Sequence, residues 1–269
     1  MEWTIGSTSR PYAQLSYQEA YERIACAGYT DLAVFANQGQ VPVNSDSSSE
    51  EVAGVRRAAA AAGLSPSMLI GRTNLDLGLE RGIDDYKKLI DNAAALGVKW
   101  LLDCGTGKEE HFDLYFELMR QAAPHAEEAG MEITMKPHGG ISLTAEDLLA
   151  ADGKVDHSAF GICYDPGNII YYTKGERRPE TDVGEVAPRA NTAIVKDCVV
   201  EDGTPDVMVT AGDGLVDFPV VLGKLLSGGF RGPFYVECVG SKEESEVDRD
   251  LAFTLGYVKG IMETINGVE

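Results

Sequence analysis

The chain has 269 residues, of which 44% are hydrophobic, and its formal net charge at pH 7 is −20. Its even composition predicts one α/β domain over residues 1–269, and no apolar run reaches the roughly 20 residues of a membrane span. The negative charge repels phosphate backbones at long range, which argues against nucleic acid as a partner. The N-terminus lacks a basic-then-apolar signal pattern, so we expect a cytoplasmic protein with no membrane partner.

A repeating pattern of helix and strand runs through the first half of the chain. Four predicted helices are each followed directly by glycine, and the glycines (Gly28, Gly63, Gly97 and Gly130) recur at intervals of 33 to 35 residues. Glycine just past a helix adopts the left-handed conformation that other residues resist. A period of this length, with a strand after each glycine, predicts stacked βα units.

The predicted elements form eight strand–helix pairs in chain order. The strands lie near Trp3–Ser7, at Asp31–Phe35, Ser65–Ile70 and Trp100–Cys104, and within Met131–Gly140, Phe160–Asn168, Thr192–Cys198 and Pro233–Gly240. The helices are Tyr17–Ala27, Glu50–Ala62, Ile83–Leu96, Glu109–Ala129, Ala145–Ala151, Asp182–Pro188, Pro219–Ser227 and Glu246–Ile265, with capping boxes at Ser16/Glu19, Ser47/Glu50 and Thr144/Asp147. Eight such pairs predict a single (β/α)8 TIM barrel. A doubly wound open sheet is the alternative, which the lack of GxGxxG after a strand disfavours.

Each of the last four strands ends in charged or polar residues followed by a turn. The side chains concerned are Lys136, His138, Asp165, Lys196 and Glu237. Strand side chains alternate between the two faces of a sheet, and counting along each strand puts all five on the face toward the barrel axis. We therefore predict that they meet at the carboxyl end of the barrel, where the chemistry of this fold takes place.

The second half of the chain resembles the xylose isomerase-like superfamily of sugar isomerases and epimerases. The resemblance rests on DPGN at 165–168, IVKDC at 194–198 and the segment GDGLVDF…GGFRGPFYVEC at 212–238. It implies a metal held by Glu, Asp, His and Glu on the last four strands. Asp165 and Glu237 match two of these ligands, whereas Lys136 and Ile194 stand at the other two positions.

Two models of the site follow. In the first, His138, Asp165 and Glu237 hold one divalent metal, Mn, Mg or Zn, with water completing its coordination. In the second, the Lys136 ammonium occupies the cation position between Asp165 and Glu237 and no metal is needed. The sequence slightly favours the second model, because a lysine beside a metal costs Coulomb repulsion.

We expect Asn168, Lys196 and Tyr235 to contact the substrate. Each candidate also has a purely structural interpretation. Asn168 fits a turn after Pro166 and Gly167, His138 could bond a loop carbonyl, and Lys136 with Glu237 could form an ion pair that only stabilises the barrel.

The resemblance implies an enzyme acting on a small sugar or polyol. The expected reaction is proton abstraction next to a carbonyl, with Glu237 as base, His138 as acid or base, and Lys136 or a metal stabilising the enediolate. The resulting enediolate can lead to isomerisation, to epimerisation or, in a 3-keto-sugar or inosose, to β-elimination. The alternatives are a non-catalytic sugar-binding barrel and, less favoured, a phosphodiesterase of the endonuclease IV type. The sequence does not determine the oligomeric state, and a homo-oligomer is one of the alternatives.

Overall fold

The computed structural model describes residues 3–240 and 243–266. Its parallel strands close into a barrel in the spatial order β1-β10-β7-β6-β5-β4-β3-β2. This arrangement confirms the predicted (β/α)8 barrel and rules out an open sheet. The barrel strands are β1 (Ile5–Thr8), β2 (Asp31–Val34), β3 (Ser65–Ile70), β4 (Trp100–Asp103), β5 (Glu132–Met135), β6 (Phe160–Tyr164), β7 (Ala190–Val195) and β10 (Phe234–Val236).

Helices surround the barrel and connect successive strands. Within the described residues they are α1 (Tyr17–Cys26), α2 (Ser49–Ala61), α3 (Leu79–Leu96), α4 (Phe112–Glu128), α5 (Ala145–Val155), α6 (Pro166–Tyr172), α7 (Pro179–Val186), α8 (Phe218–Ser227) and α9 (Glu244–Asn266). A small antiparallel hairpin, β8 (Val199–Glu201) with β9 (Thr204–Asp206), follows β7. No helix in the described part of the chain is long and apolar enough to cross a membrane.

The alternation of strand residues separates two apolar layers. Ile133, Ile162 and Val236 pack outward against the helices in the main core. A second cluster fills the inside of the barrel and consists of Ala33, Phe35, Met68, Leu102, Cys163, Ile194 and Tyr235. Cys163, Ile194 and Tyr235 of this inner cluster each lie two residues before Asp165, Lys196 and Glu237, so the predicted inward face of β6, β7 and β10 agrees with the structure.

Helix starts follow the predicted capping chemistry with one shift. Ser16 with Glu19 and Thr144 with Asp147 form capping boxes, as predicted. The box of α2 is Ser48 with Glu51, one residue later than the predicted Ser47 with Glu50. The repeated serines at 47–49 offer more than one register, and the observed one gives Glu51 the backbone N–H of Ser48.

Candidate active site

Lys136 lies between two carboxylates at the carboxyl end of the barrel. Its ammonium nitrogen is 2.5 Å from Glu237 Oε2 and 3.3 Å from Asp165 Oδ2. The side chains are at most 3% exposed. Because β5, β6 and β10 each end just before one of these residues, the barrel itself brings together charges that are far apart in sequence.

Lys196 supplies a second ammonium to the same two carboxylates. It donates to Glu237 Oε1 at 2.6 Å, to Asp165 Oδ2 at 3.1 Å and to Asn168 Oδ1 at 3.1 Å. An ammonium has three N–H donors, so these contacts use all of them. The sequence predicts a substrate contact for Lys196, whereas in the structure its side chain is buried among the charged groups.

Arg10, which the sequence analysis did not single out, completes the cluster. Its Nη1 donates to Glu237 Oε1 at 2.6 Å, and its side chain is 41% exposed. Arg10 follows β1, so the criterion applied to the last four strands, a charged residue just past a strand end, would have found it. We call Arg10, Lys136, Lys196, Asp165 and Glu237 the charged cluster.

Charge coupling fixes the ionisation of the charged cluster. Burial alone raises the pKa of Glu237, but the charges of Lys136, Lys196 and Arg10 outweigh burial and hold this pKa well below its ordinary value. Burial alone lowers the pKa of Lys136, but Glu237 and Asp165 outweigh it and raise this pKa well above the ordinary value. The cluster contains three basic and two acidic side chains, so its formal charge is one net positive.

The DPGN segment connects the end of β6 to α6 and forms the start of that helix. Asp165 Oδ1 accepts the backbone N–H of Asn168 and so caps the helix, while Pro166 occupies its first turn. A Cβ on Gly167 would lie 2.7 Å from the backbone oxygen of Lys196, so only glycine lets the helix approach the end of β7 this closely.

Asn168 is used internally. Its Nδ2 donates to the Pro137 carbonyl at 2.7 Å and its Oδ1 accepts from Lys196. Since both ends of this buried amide are engaged, the geometry supports an orienting role for Asn168 more than the predicted substrate contact.

His138 lies at the mouth of the barrel. It is exposed, and its ring centroid is 5.0 Å from that of Tyr172. Loss of solvent around the ring has the largest effect on the pKa of His138, and the positive charges of Lys136 and Lys196 act in the same direction. Together they lower this pKa to about 4, so the imidazole is neutral at pH 7. The glycines of KPHGG are required here, because a Cβ on Gly140 would lie 2.4 Å from the Thr106 carbonyl oxygen.

Tyr235 and Ile194 lie deeper in the barrel. The Tyr235 hydroxyl is 2.6 Å from the Ser67 hydroxyl, and the ring is fully buried in the inner apolar cluster. The structure therefore does not bring Tyr235 to the charged cluster, although its inward orientation is as predicted. Ile194 packs in the same inner cluster and offers no ligand atom at the position where the superfamily resemblance implies a histidine.

The donor set does not suit a metal ion. Among the described residues, no group of three or more His, Cys, Asp and Glu side chains is placed to hold one, so His138 does not join Asp165 and Glu237 in a ligand set. The two carboxylates are instead occupied by ammonium and guanidinium groups. A metal added among three cations would meet strong repulsion.

Asp197, next to Lys196, stabilises a neighbouring loop. Its carboxylate accepts backbone N–H groups of Cys198, Gly212, Gly214 and Val216 at 2.8 to 3.0 Å. In IVKDC, Lys196 therefore contacts the rest of the charged cluster, whereas Asp197 stabilises the segment that leads to α8.

A family model described as "Xylose isomerase-like TIM barrel" matches residues 21–256. A comparison with curated protein sequences gives no match. Among solved structures, D-psicose 3-epimerase with D-tagatose from Clostridium cellulolyticum H10 has a TM-score of 0.78 at 14% identity and covers 96% of this chain and 99% of its own.

Two further structures have the same fold. A xylose isomerase-like TIM barrel protein from Mycobacterium smegmatis in complex with magnesium has a TM-score of 0.76 at 17% identity, over 96% of this chain and 97% of its own. The 3-keto-D-glucoside 4-epimerase from E. coli has a TM-score of 0.70 at 13% identity, over 96% of this chain and 100% of its own. At these identities the likeness concerns the fold alone.

Proposed function

We propose, since the chain belongs to the xylose isomerase-like TIM barrel family, that it abstracts a proton next to the carbonyl of a keto-sugar. Isomerisation or epimerisation is the expected outcome. The observation that carries this proposal is the charged cluster, in which three cations face two carboxylates at the carboxyl end of the barrel. Its surplus positive charge suits the negative oxygen that forms when the proton leaves.

Lys136 and Arg10 are the groups proposed to bind the carbonyl oxygen. Lys136 contacts two carboxylates and has three N–H donors, so one donor remains within the described contacts. Arg10 uses only Nη1 on Glu237 and is the most exposed cation of the cluster. Lys196 has no donor left and acts by fixing the two carboxylates and adding charge.

His138 is proposed to carry the proton. Its ring is neutral at pH 7 and accessible at the mouth, so it can accept a proton from carbon and return it. From the sequence, Glu237 is expected to be the base and His138 to act as acid or base. Both oxygens of the buried Glu237 carboxylate are engaged by Lys136, Lys196 and Arg10, and we propose that Glu237 anchors these three cations instead.

The fate of the enolate decides the reaction class. Reprotonation on the opposite face gives epimerisation, and reprotonation on the neighbouring carbon gives isomerisation. From a 3-keto-sugar, loss of a group on the carbon next to the deprotonated one gives β-elimination instead. The epimerases among the structural neighbours, named for psicose and for a 3-keto-D-glucoside, support the first outcome.

Deuterium exchange tests the proton step without assuming the final product. The enzyme is incubated in D2O with methyl 3-keto-β-D-glucoside or D-fructose, and loss of the proton next to the carbonyl is followed by proton NMR. We expect exchange by the native protein, a large loss in Lys136→Met and His138→Gln, and no change in the exposed control Lys99→Met. No exchange with any keto-sugar would favour the sugar-binding alternative.

A further inference from the structure

The carboxyl face of the barrel has two halves of opposite character. The charged cluster comes from the ends of β6, β7, β10 and β1 together with Lys136 after β5. The other half, beyond β2, β3 and β4, contains a cavity of about 800 Å³, and we call it the apolar cavity. Its lining includes the apolar side chains of Val41, Val43, Ile70 and Leu89, which face the cavity together with the polar side chains of Gln40, Asn44, Ser45 and Arg72.

The apolar cavity and the charged cluster share a boundary. His138 and Cys104 line the cavity, and the charges of Lys136 and Lys196 act on both side chains. Ile70 packs against the inner cluster that includes Phe35, and the Phe35 ring centroid is 5.8 Å from the Lys136 nitrogen. A ligand whose carbonyl reaches Lys136 therefore has the apolar cavity directly beside it.

The size and lining of the apolar cavity do not match a free monosaccharide. A sugar presents hydroxyl groups on nearly every carbon. The part of the wall formed by Val41, Val43, Ile70 and Leu89 offers these hydroxyls no hydrogen-bond partner, so it suits an apolar group better. Cavities of roughly 300–1,000 Å³ with apolar walls hold ligands larger than one sugar ring.

We propose that the substrate carries an apolar substituent, an aryl or alkyl group joined to the sugar, and that this group occupies the apolar cavity. This inference rests on the proposed function, since it takes the charged cluster as the place of the keto-sugar ring. His138 then lies at the junction of the two parts, over the carbon that loses its proton.

Calorimetric titration of the full chain with phenyl and methyl β-D-glucosides tests the apolar cavity, because neither probe reacts. We expect the phenyl glucoside to bind at least tenfold more tightly. Val41→Trp, which fills the cavity, is expected to remove most of this preference and leave the affinity for the methyl glucoside unchanged. Val41→Asn, which keeps the cavity but makes its wall polar, is expected to reduce the preference as well. Val220→Trp, a control at an exposed valine on α8, is expected to change neither affinity.

Equal affinities in the native protein, no measurable phenyl glucoside binding, or a preference unaffected in folded Val41→Trp and Val41→Asn would overturn the inference. Circular dichroism establishes that the variants are folded. Deuterium exchange separates this result from failure of the proposed function. Deuterium exchange without a preference for the phenyl glucoside would refute only the apolar cavity proposal. A preference for the phenyl glucoside without deuterium exchange would refute only the proposed proton abstraction.

Discussion

Removing the Glu237 carboxylate is expected to destabilise the protein more than removing the Lys136 ammonium. Glu237 accepts from Lys136, Lys196 and Arg10 at 2.5 to 2.6 Å. Glu237→Gln leaves three cations with only Asp165 to neutralise them, a net charge of two in a buried site. Lys136→Met leaves two cations and two carboxylates, which balance.

The magnitudes follow from burial. Breaking a buried ion pair so that one charge is left uncompensated costs about 3–5 kcal/mol, and we expect this loss of unfolding free energy for Glu237→Gln. Lys136→Met removes charged hydrogen bonds but leaves both carboxylates with Lys196, so a loss of about 1.5–3 kcal/mol is expected. The double variant returns to one net positive charge, and its loss should fall short of the sum by about 1–2 kcal/mol.

Urea unfolding at pH 7, followed by both circular dichroism and tryptophan fluorescence, measures these values, provided the two signals coincide. Lys99→Met is the control, because the Lys99 side chain is 56% exposed and its pair with Glu132 is 3.5 Å apart. It should cost less than about 1 kcal/mol. The reasoning is refuted if Glu237→Gln is no more destabilising than Lys136→Met, or if the double variant shows full additivity.

Lys136→Glu is expected to create a manganese site with Asp165 and Glu237 and to reduce deuterium exchange; calorimetry showing no Mn²⁺ binding, or equal binding by Lys136→Met, would contradict this. If His138 carries the proton, the exchange rate should fall by about 100-fold or more in His138→Gln. In the native protein the exchange rate should decrease at low pH with a midpoint near pH 4, where His138 becomes protonated. A midpoint near the ordinary histidine pKa would argue against this assignment. Asp103 is buried, and burial raises its pKa to about 6, so folding takes up a proton between the unfolded and folded pKa values. The contribution of Asp103 to the unfolding free energy should therefore rise as pH falls from about 7 toward 4, and urea unfolding of Asp103→Asn should lack this contribution. Equal pH slopes in the native protein and the variant would contradict this.

The sequence by itself determined the barrel and the orientation of its last four strands. Glycine spacing and capping residues are local signals, and they marked the strand–helix units because helix ends depend on neighbouring residues. The two-residue period of a strand then placed Asp165 and Glu237 on the inner side. The sequence does not predict helix α6, because its seven residues begin within DPGN, at Pro166, and Pro-Gly-Asn is more typical of a turn than of a helix.

The partners of each charge were decided only by the tertiary structure. The sequence placed Lys196 at the same end of the barrel but predicted a substrate contact for it, whereas folding pairs it with Asp165 and Glu237. Folding also adds Arg10, which lies 227 residues from Glu237. The inward orientation of a side chain also does not specify its depth along the barrel axis. Tyr235 points inward as predicted, but its hydroxyl lies beside Ser67 instead of at the mouth. The apolar cavity depends likewise on loops after three different strands. Distances between such loops are set by barrel closure, and a pattern along one strand carries no information about them.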